Sequence, residues 1–133
     1  MPTDDALRTV VVVGDNRGAA LKNVSTTLQK AGFAVVTASD GRAVLDLCRV
    51  QHQPLELAVI DTAATGIKAR EVERQLHDMY PHIRMLFLSD ENQETVCESD
   101  DPGHLRRVLR KPYRRSRFLG RVLEMMQPRA MGA

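Results

Sequence analysis

The sequence predicts an α/β fold in which five parallel strands form one sheet with helices on both faces. Short β-rich apolar runs alternate five times with longer segments of helical periodicity, which is typical of a parallel sheet with right-handed crossovers. The first run, "RTVVVVG" at residues 8–14, is continuous in valine, as expected for a strand buried on both faces. The length of 133 residues suits a single domain over 1–133.

Four further apolar runs supply the other predicted strands. Each contains at least one β-branched or aromatic residue, the types that favour extended backbone. The second and third are "FAVVTA" (33–38) and "LELAVID" (55–61), the fourth is "IRMLFLS" (83–89), and "HLRRVLRK" (104–111) is the fifth. Two of these strands, the first and the third, are followed by or end in an aspartate.

Helices are predicted where apolar residues recur every three or four positions. Gly32 stands where a glycine commonly follows a helix, Asp40 can cap the second helix, and Pro81 stops the third. Between the fourth and fifth strands the apolar pattern is sparse, so we expect any helix there to be short. The apolar stripes are Leu21, Val24, Leu28 and Ala31; Val44, Leu47 and Cys48; Val72, Leu76 and Met79; and Phe118, Leu119, Val122, Leu123 and Met126.

Composition and charge exclude several classes of protein. The formal net charge is only +2 and no helix-turn-helix or zinc pattern is visible, so direct binding to nucleic acid is not expected. No apolar run approaches the ~20 residues that span a bilayer, and the first residues lack the features of a secretory signal. We therefore expect a cytoplasmic protein that does not enter membranes. Cys48 and Cys97 are too far apart for a CxxC metal or redox site.

Polar side chains capable of phosphoryl chemistry follow four of the predicted strands. Asp15 follows the first strand, Asp61 the third, Ser89 the fourth and Lys111 the fifth. The carboxyl ends of parallel strands lie at one edge of a sheet, where functional residues gather. Two carboxylates suit Mg²⁺, which prefers oxygen ligands, while a lysine and a hydroxyl can bind an anion attached to a carboxylate. This set of residues predicts phosphoryl transfer to a carboxylate.

The same residues carry a resemblance to a known family. The segments "VVVVGDN", "LAVIDTAATG", "MLFLSD" and "VLRKPY" occur in that order, each at the end of its strand. With them the chain resembles the receiver domain of two-component response regulators over about residues 8–126, which leaves 127–133 as a frayed tail. The resemblance implies a flavodoxin-like, CheY-like (βα)5 fold with strand order 2-1-3-4-5.

The resemblance also implies a role for each residue at the strand ends. Asp61 would accept the phosphoryl group from a histidine kinase or a histidine phosphotransfer protein. Asp15, Asp61 and the backbone carbonyl of Ala63 would bind Mg²⁺, while Ser89 and Lys111 would bind the new phosphoryl group. The peptide bond after Lys111 would be cis. Such a domain is a phosphoacceptor that assists its own phosphorylation and dephosphorylation, and is not otherwise an enzyme.

Three departures from the family pattern qualify these expectations. Gly14 replaces the first of two adjacent acids, which should weaken binding of Mg²⁺. Ala64 and Thr65 stand where the family has a Met-Pro pair, and Val108 replaces an aromatic residue that moves on activation. These changes leave an alternative open, a degenerate pseudo-receiver that binds a partner without phosphorylation.

The partners beyond the phosphodonor stay open at the level of sequence. "FLGRVLEMM" after "VLRKPY" resembles the receivers at the carboxyl end of hybrid sensor kinases. The chain could equally be a single-domain regulator, and the output partner is not indicated. Homodimerisation through the last strand and helices is an open expectation.

Overall fold

The fold was analysed in a computed structural model that describes residues 9–14, 19–39, 41–50, 55–62, 69–89, 98–101 and 105–127. Five strands form one parallel sheet in the order β2-β1-β3-β4-β5, which confirms the predicted fold class and strand order. In chain order the elements are β1 (Thr9–Val13), α1 (Ala19–Lys30), β2 (Ala34–Ala38), α2 (Gly41–Val50), β3 (Leu55–Asp61), α3 (Ala69–Met79), β4 (Arg84–Ser89), β5 (Arg106–Arg110) and α4 (Arg115–Met126).

The valine run of β1 divides the core into two layers. All five residues of β1 are buried. Since side chains alternate along a strand, Val10 and Val12 pack on one face, with α1 and α4, whereas Val11 and Val13 pack on the other, with α2 and α3. The sheet is therefore covered on both sides, which agrees with the continuous valine run of β1.

The end of α1 follows the Schellman pattern that Gly32 predicts. Gly32 has a φ of 101° and donates its N–H to Gln29 O at 3.0 Å, while Phe33 donates to Leu28 O at 3.1 Å. These two bonds satisfy carbonyls that the last turn would otherwise leave open. They also turn the chain directly into β2.

Three apolar stripes differ from the prediction at single residues. Ala31 is exposed and lies in the turn after α1. Met79 and Leu123 are 40% and 46% exposed, whereas the sequence pattern placed both on buried faces. Met79 is the last residue of α3. In α4 the buried face consists of Phe118, Val122, Met125 and Met126, because 3.6 residues per turn carry position 123 around to solvent.

Some predictions fall outside the described residues. The expected helix between β4 and β5 falls largely on residues 90–97 and 102–104. The expected cap, Asp40, and most of the expected tail, residues 128–133, also lie outside the described residues. The longest described helices, α1 and α4, have 12 residues each. None of the helices in the described part of the chain is long and apolar enough to cross a membrane.

The outer edge of β5 is covered by a short acidic segment, residues 98–101. Ser99 and Arg106 exchange backbone hydrogen bonds of 3.0 Å in an antiparallel bridge. The Glu98 carboxylate accepts the N–H of Val108 at 3.0 Å. Edge strands present unpaired N–H groups that invite association, so this segment shields part of the edge.

A buried ion pair connects α3 to β5. Arg106 Nε donates to Glu73 Oε2 at 2.8 Å, and the side chains are only 18% and 6% exposed. The imidazole of His77 lies 3.9 Å from the same carboxylate oxygen. Removing one partner of such a pair leaves a buried charge without compensation, which is costly.

We therefore expect Glu73→Ala to lower the free energy of unfolding by about 3 kcal/mol. The matched control is Glu71→Ala on the same helix, where the carboxylate binds Arg74 at 2.6 and 2.7 Å but the pair is exposed to solvent. That control should lose at most about 1 kcal/mol. Urea unfolding measures both values, and equal losses in the two variants would contradict the buried role of Glu73.

Candidate functional site

Three of the predicted site residues lie at the carboxyl ends of three adjacent strands. Asp61 is the last residue of β3, Ser89 is the last residue of β4, and Lys111 directly follows β5. Asp61 and Ser89 are 9% and 5% exposed, respectively, which is low for polar residues. Because β3, β4 and β5 are parallel neighbours, these three residues share one edge of the sheet.

Asp61 and Lys111 form the central contact of this edge. Lys111 Nζ lies 2.8 Å from Asp61 Oδ1 and 2.9 Å from Asp61 Oδ2, so one ammonium binds both carboxylate oxygens. The two side chains are 12% and 27% exposed. The ammonium is therefore placed to neutralise the carboxylate and to bind an anion attached to it.

The position of Lys111 depends on the turn that contains it. Its backbone N–H donates to Ser89 O at 2.8 Å, which extends the pairing of β4 and β5 by one residue. The following bond, Lys111–Pro112, is cis, as the resemblance to receivers implies. This turn directs the lysine side chain across β4 toward the end of β3.

Thr62 ties the end of β3 to β4. Its backbone N–H and its hydroxyl both donate to the carbonyl of Leu88, at 3.0 Å and 3.2 Å. Leu88 is the register partner of Asp61 in the parallel pair. The sequence interpretation missed Thr62, although a β-branched hydroxyl residue directly after the acid was a visible signal.

Tyr113 is a second residue that the sequence interpretation missed. Its ring stacks on Phe118 with centroids 5.9 Å apart. Burial raises the pKa of the Tyr113 phenol above its ordinary 10.0, and the negative charge of Asp61 raises it further. The tyrosine also lines a cavity of about 270 Å³ between α1 and α4. The signal in the sequence was the aromatic residue at the end of "VLRKPY".

The described residue that follows β1 is Gly14, which has no side chain. Gly14 is buried, and its N–H donates to Ala38 O at 3.0 Å, so its backbone serves the sheet. Asp15 and Ala63, the other predicted ligands of Mg²⁺, lie outside the described residues. Within the described ranges no three His, Cys, Asp or Glu side chains are grouped so as to hold a metal ion. The Asp61 carboxylate is nevertheless the type of donor that Mg²⁺ prefers.

Val108 occupies the position at which receivers often have a mobile aromatic residue. It is partly buried and packs on the layer beneath α2 and α3. Its N–H is held by the Glu98 carboxylate at the outer edge of β5. An aliphatic side chain cannot reproduce the rotation of a large ring.

Among known proteins, this chain matches solved structures only. Neither the protein-family models nor the curated protein sequences contain a match to this chain. Solved structures do match over most of its length. The chemotaxis protein CheY4 of Vibrio cholerae is 25% identical, with a TM-score of 0.72 over 91% of this chain and 100% of that protein.

Two other solved structures are similarly close in shape. The signal receiver domain of an HD domain-containing protein from Pseudomonas fluorescens Pf-5 is 16% identical, with a TM-score of 0.74 over 90% of this chain and 94% of that one. The receiver domain of the hybrid histidine kinase CckA is 18% identical, with a TM-score of 0.72 over 90% and 99% of the two chains. The chain therefore has the fold of response regulator receiver domains, as the motifs at its strand ends predict.

Proposed function

We propose that this chain is a phosphorylation-controlled receiver, in which Asp61 accepts a phosphoryl group from a phosphohistidine donor. The observation that carries the proposal is the contact of Lys111 Nζ with both oxygens of the Asp61 carboxylate at the edge of the sheet. The hydroxyl residue Ser89 ends the neighbouring strand. Nucleophile, cation and hydroxyl are the groups that transfer to a carboxylate requires.

The transfer forms one bond and breaks one. An oxygen of Asp61 attacks phosphorus, the P–N bond of the phosphohistidine breaks, and the imidazole leaves with the electron pair. Lys111 neutralises charge on the phosphoryl oxygens, and the Ser89 hydroxyl donates a hydrogen bond to one of them. Bound Mg²⁺ would supply further neutralisation of the phosphoryl oxygens, with Asp15, Asp61 and the Ala63 carbonyl as its protein ligands.

The same contacts suggest how the new charge alters the fold. A phosphoryl group adds negative charge where Lys111 now binds only the carboxylate. The backbone N–H of Lys111 donates to Ser89 O at 2.8 Å, so a shift of the lysine also displaces the end of β4. Phosphorylation changes the relative populations of two conformations of the β4–β5 edge, and a partner or output domain binds one of them preferentially.

A second candidate is a pseudo-receiver that binds its partner without phosphorylation. The observation that favours it is Gly14, whose backbone closes β1 against β2 but which has no carboxylate to hold a metal-bound water. Both candidates require a protein partner. They differ in whether Asp61 is modified, which a direct mass measurement decides.

The wild-type protein, incubated with Mg²⁺ and acetyl phosphate, should gain the mass of one phosphoryl group in intact mass spectrometry. Asp61→Asn and a chelator of divalent cations should each abolish the gain. Lys111→Ala should slow it about a hundredfold, because one charge-stabilising donor is lost. Lys30→Ala, an exposed lysine at the end of α1, is the matched control and should leave the rate unchanged. Absence of any gain, together with absence of Mg²⁺ binding, would favour the pseudo-receiver.

Gly14→Asp should lower the Mg²⁺ concentration that gives half-maximal phosphorylation by about tenfold, since groups that orient metal ligands typically change affinity by that order. Gly14→Asn has nearly the same shape without the charge and is the control. Thermal unfolding of both variants verifies that a side chain at residue 14, whose N–H binds Ala38 O, does not destabilise the fold. An equal effect of the two substitutions would refute a role for the missing charge.

Asp61→Asn should lower the pKa of the Tyr113 phenol toward 10.0, because a negative charge that opposes phenolate formation is removed. The pKa should stay above 10.0, since burial is the larger cause and persists. A spectrophotometric titration in a Tyr80→Phe background isolates Tyr113, because the chain has 2 tyrosines. Glu71→Gln makes the same charge change on α3 and should not move the titration. A pKa that rises in Asp61→Asn would contradict the coupling.

A further inference from the structure

We propose that Thr62 is a positioning residue for phosphorylation, which holds the Asp61 carboxylate in register with Ser89 and Lys111. This inference rests on the proposed function of Asp61. It concerns a residue that lies next to the acceptor and makes its contacts with the neighbouring strand. Thr62 acts through the backbone of the site and does not touch the phosphodonor.

The geometry of Thr62 is that of a clamp across two strands. Its N–H and its hydroxyl donate to the same oxygen, Leu88 O, at 3.0 Å and 3.2 Å. The hydroxyl bond joins residues 26 positions apart in the chain, so it is a tertiary contact. Asp61 precedes Thr62 and Ser89 follows Leu88, which places each functional side chain one residue from the clamp.

Two bonds to one carbonyl restrain more than a single bond can. A carbonyl oxygen has two lone pairs, so it accepts both donors without competition. The N–H belongs to the peptide group between Asp61 and Thr62, and its bond therefore restrains the backbone from which the carboxylate projects. The hydroxyl bond selects the side-chain rotamer of a β-branched residue that has few rotamers available. Together the bonds limit how far the end of β3 can move away from β4.

The clamp continues into the next strand. Ser89 O accepts the backbone N–H of Lys111 at 2.8 Å, so the ends of β3, β4 and β5 are tied in series. Lys111 then reaches back to both oxygens of Asp61 at 2.8 and 2.9 Å. Three contacts, Thr62 to Leu88, Ser89 to Lys111 and Lys111 to Asp61, thus form a closed loop with the covalent bonds of the chain, and Thr62 supplies its first connection.

A purely packing role does not account for the hydroxyl of Thr62. The residue is half-buried, and its hydroxyl donates to Leu88 O. Valine has nearly the same shape and would fill the same space. The hydroxyl therefore contributes a directional hydrogen bond and no additional volume. A displacement of the Asp61 carboxylate by less than 1 Å is expected to lower the phosphorylation rate more than the stability of the fold.

The test measures phosphorylation kinetics for the wild type and three variants over a range of acetyl phosphate concentrations with Mg²⁺. Thr62→Val should reduce the maximal rate about tenfold and leave the half-saturating concentration of acetyl phosphate unchanged. Thr62→Ser keeps the hydroxyl and should recover most of the rate. Thr37→Val makes the same substitution at an exposed position of the remote strand β2 and should match wild type.

Failure of the inference and failure of the proposed function give different results. A wild-type protein that gains no phosphoryl group overturns the proposed function. A wild-type protein that is phosphorylated at the same rate as Thr62→Val overturns the role of Thr62. A Thr62→Ser variant as slow as Thr62→Val overturns the assignment to the hydroxyl.

A second measurement does not depend on phosphorylation. In ¹H–¹⁵N NMR spectra, Thr62→Val should shift the backbone amide signals of Ser89 and Lys111 and accelerate hydrogen exchange at Lys111. Thr37→Val should leave these signals in place. Unchanged signals in Thr62→Val would overturn the clamp itself.

Discussion

The ion pair between Lys111 and Asp61 is the contact on which the functional edge of this structure depends. It joins two strands that are not adjacent, since β4 lies between β3 and β5. It exists only because the sheet is parallel and because the turn after β5 directs the lysine across β4. The two carboxylate oxygens share one ammonium at 2.8 and 2.9 Å, so the charge of a largely buried acid is compensated.

The chain differs from the sequence pattern of receiver domains at two described positions, Gly14 and Val108. The N–H of Gly14 donates to Ala38 O in the sheet, and a glycine has no carboxylate to contribute to the site. Val108 packs in the core, whereas Tyr113 carries the aromatic ring near Asp61 and lines the cavity between α1 and α4. The outer edge of β5 is held by the acidic segment around Ser99. The departures from the family pattern at Ala64 and Thr65 lie outside the described residues.

Much of the fold could be predicted from local patterns. The valines of β1 required burial on both faces, and Gly32 marked the end of α1, because these signals arise from a few neighbouring residues. The faces of the helices were less predictable. Met79 and Leu123 fit an apolar periodicity, yet both are exposed, Met79 at the last residue of α3 and Leu123 beside the buried face of α4. The candidate site was predicted as a set of strand ends, and its clamp at Thr62 was not.

The sequence by itself determined the alternation of strands and helices, and with it the edge at which Asp61, Ser89 and Lys111 lie. Hydrophobic burial is strong and periodic, so it can be read without a structure. Only the tertiary structure decided which partners these residues take: the lysine on both oxygens of Asp61, the Thr62 hydroxyl on Leu88 O, and the Arg106 guanidinium on Glu73. Such contacts join residues far apart in the chain, and directional bonds depend on distances and angles that no local pattern encodes.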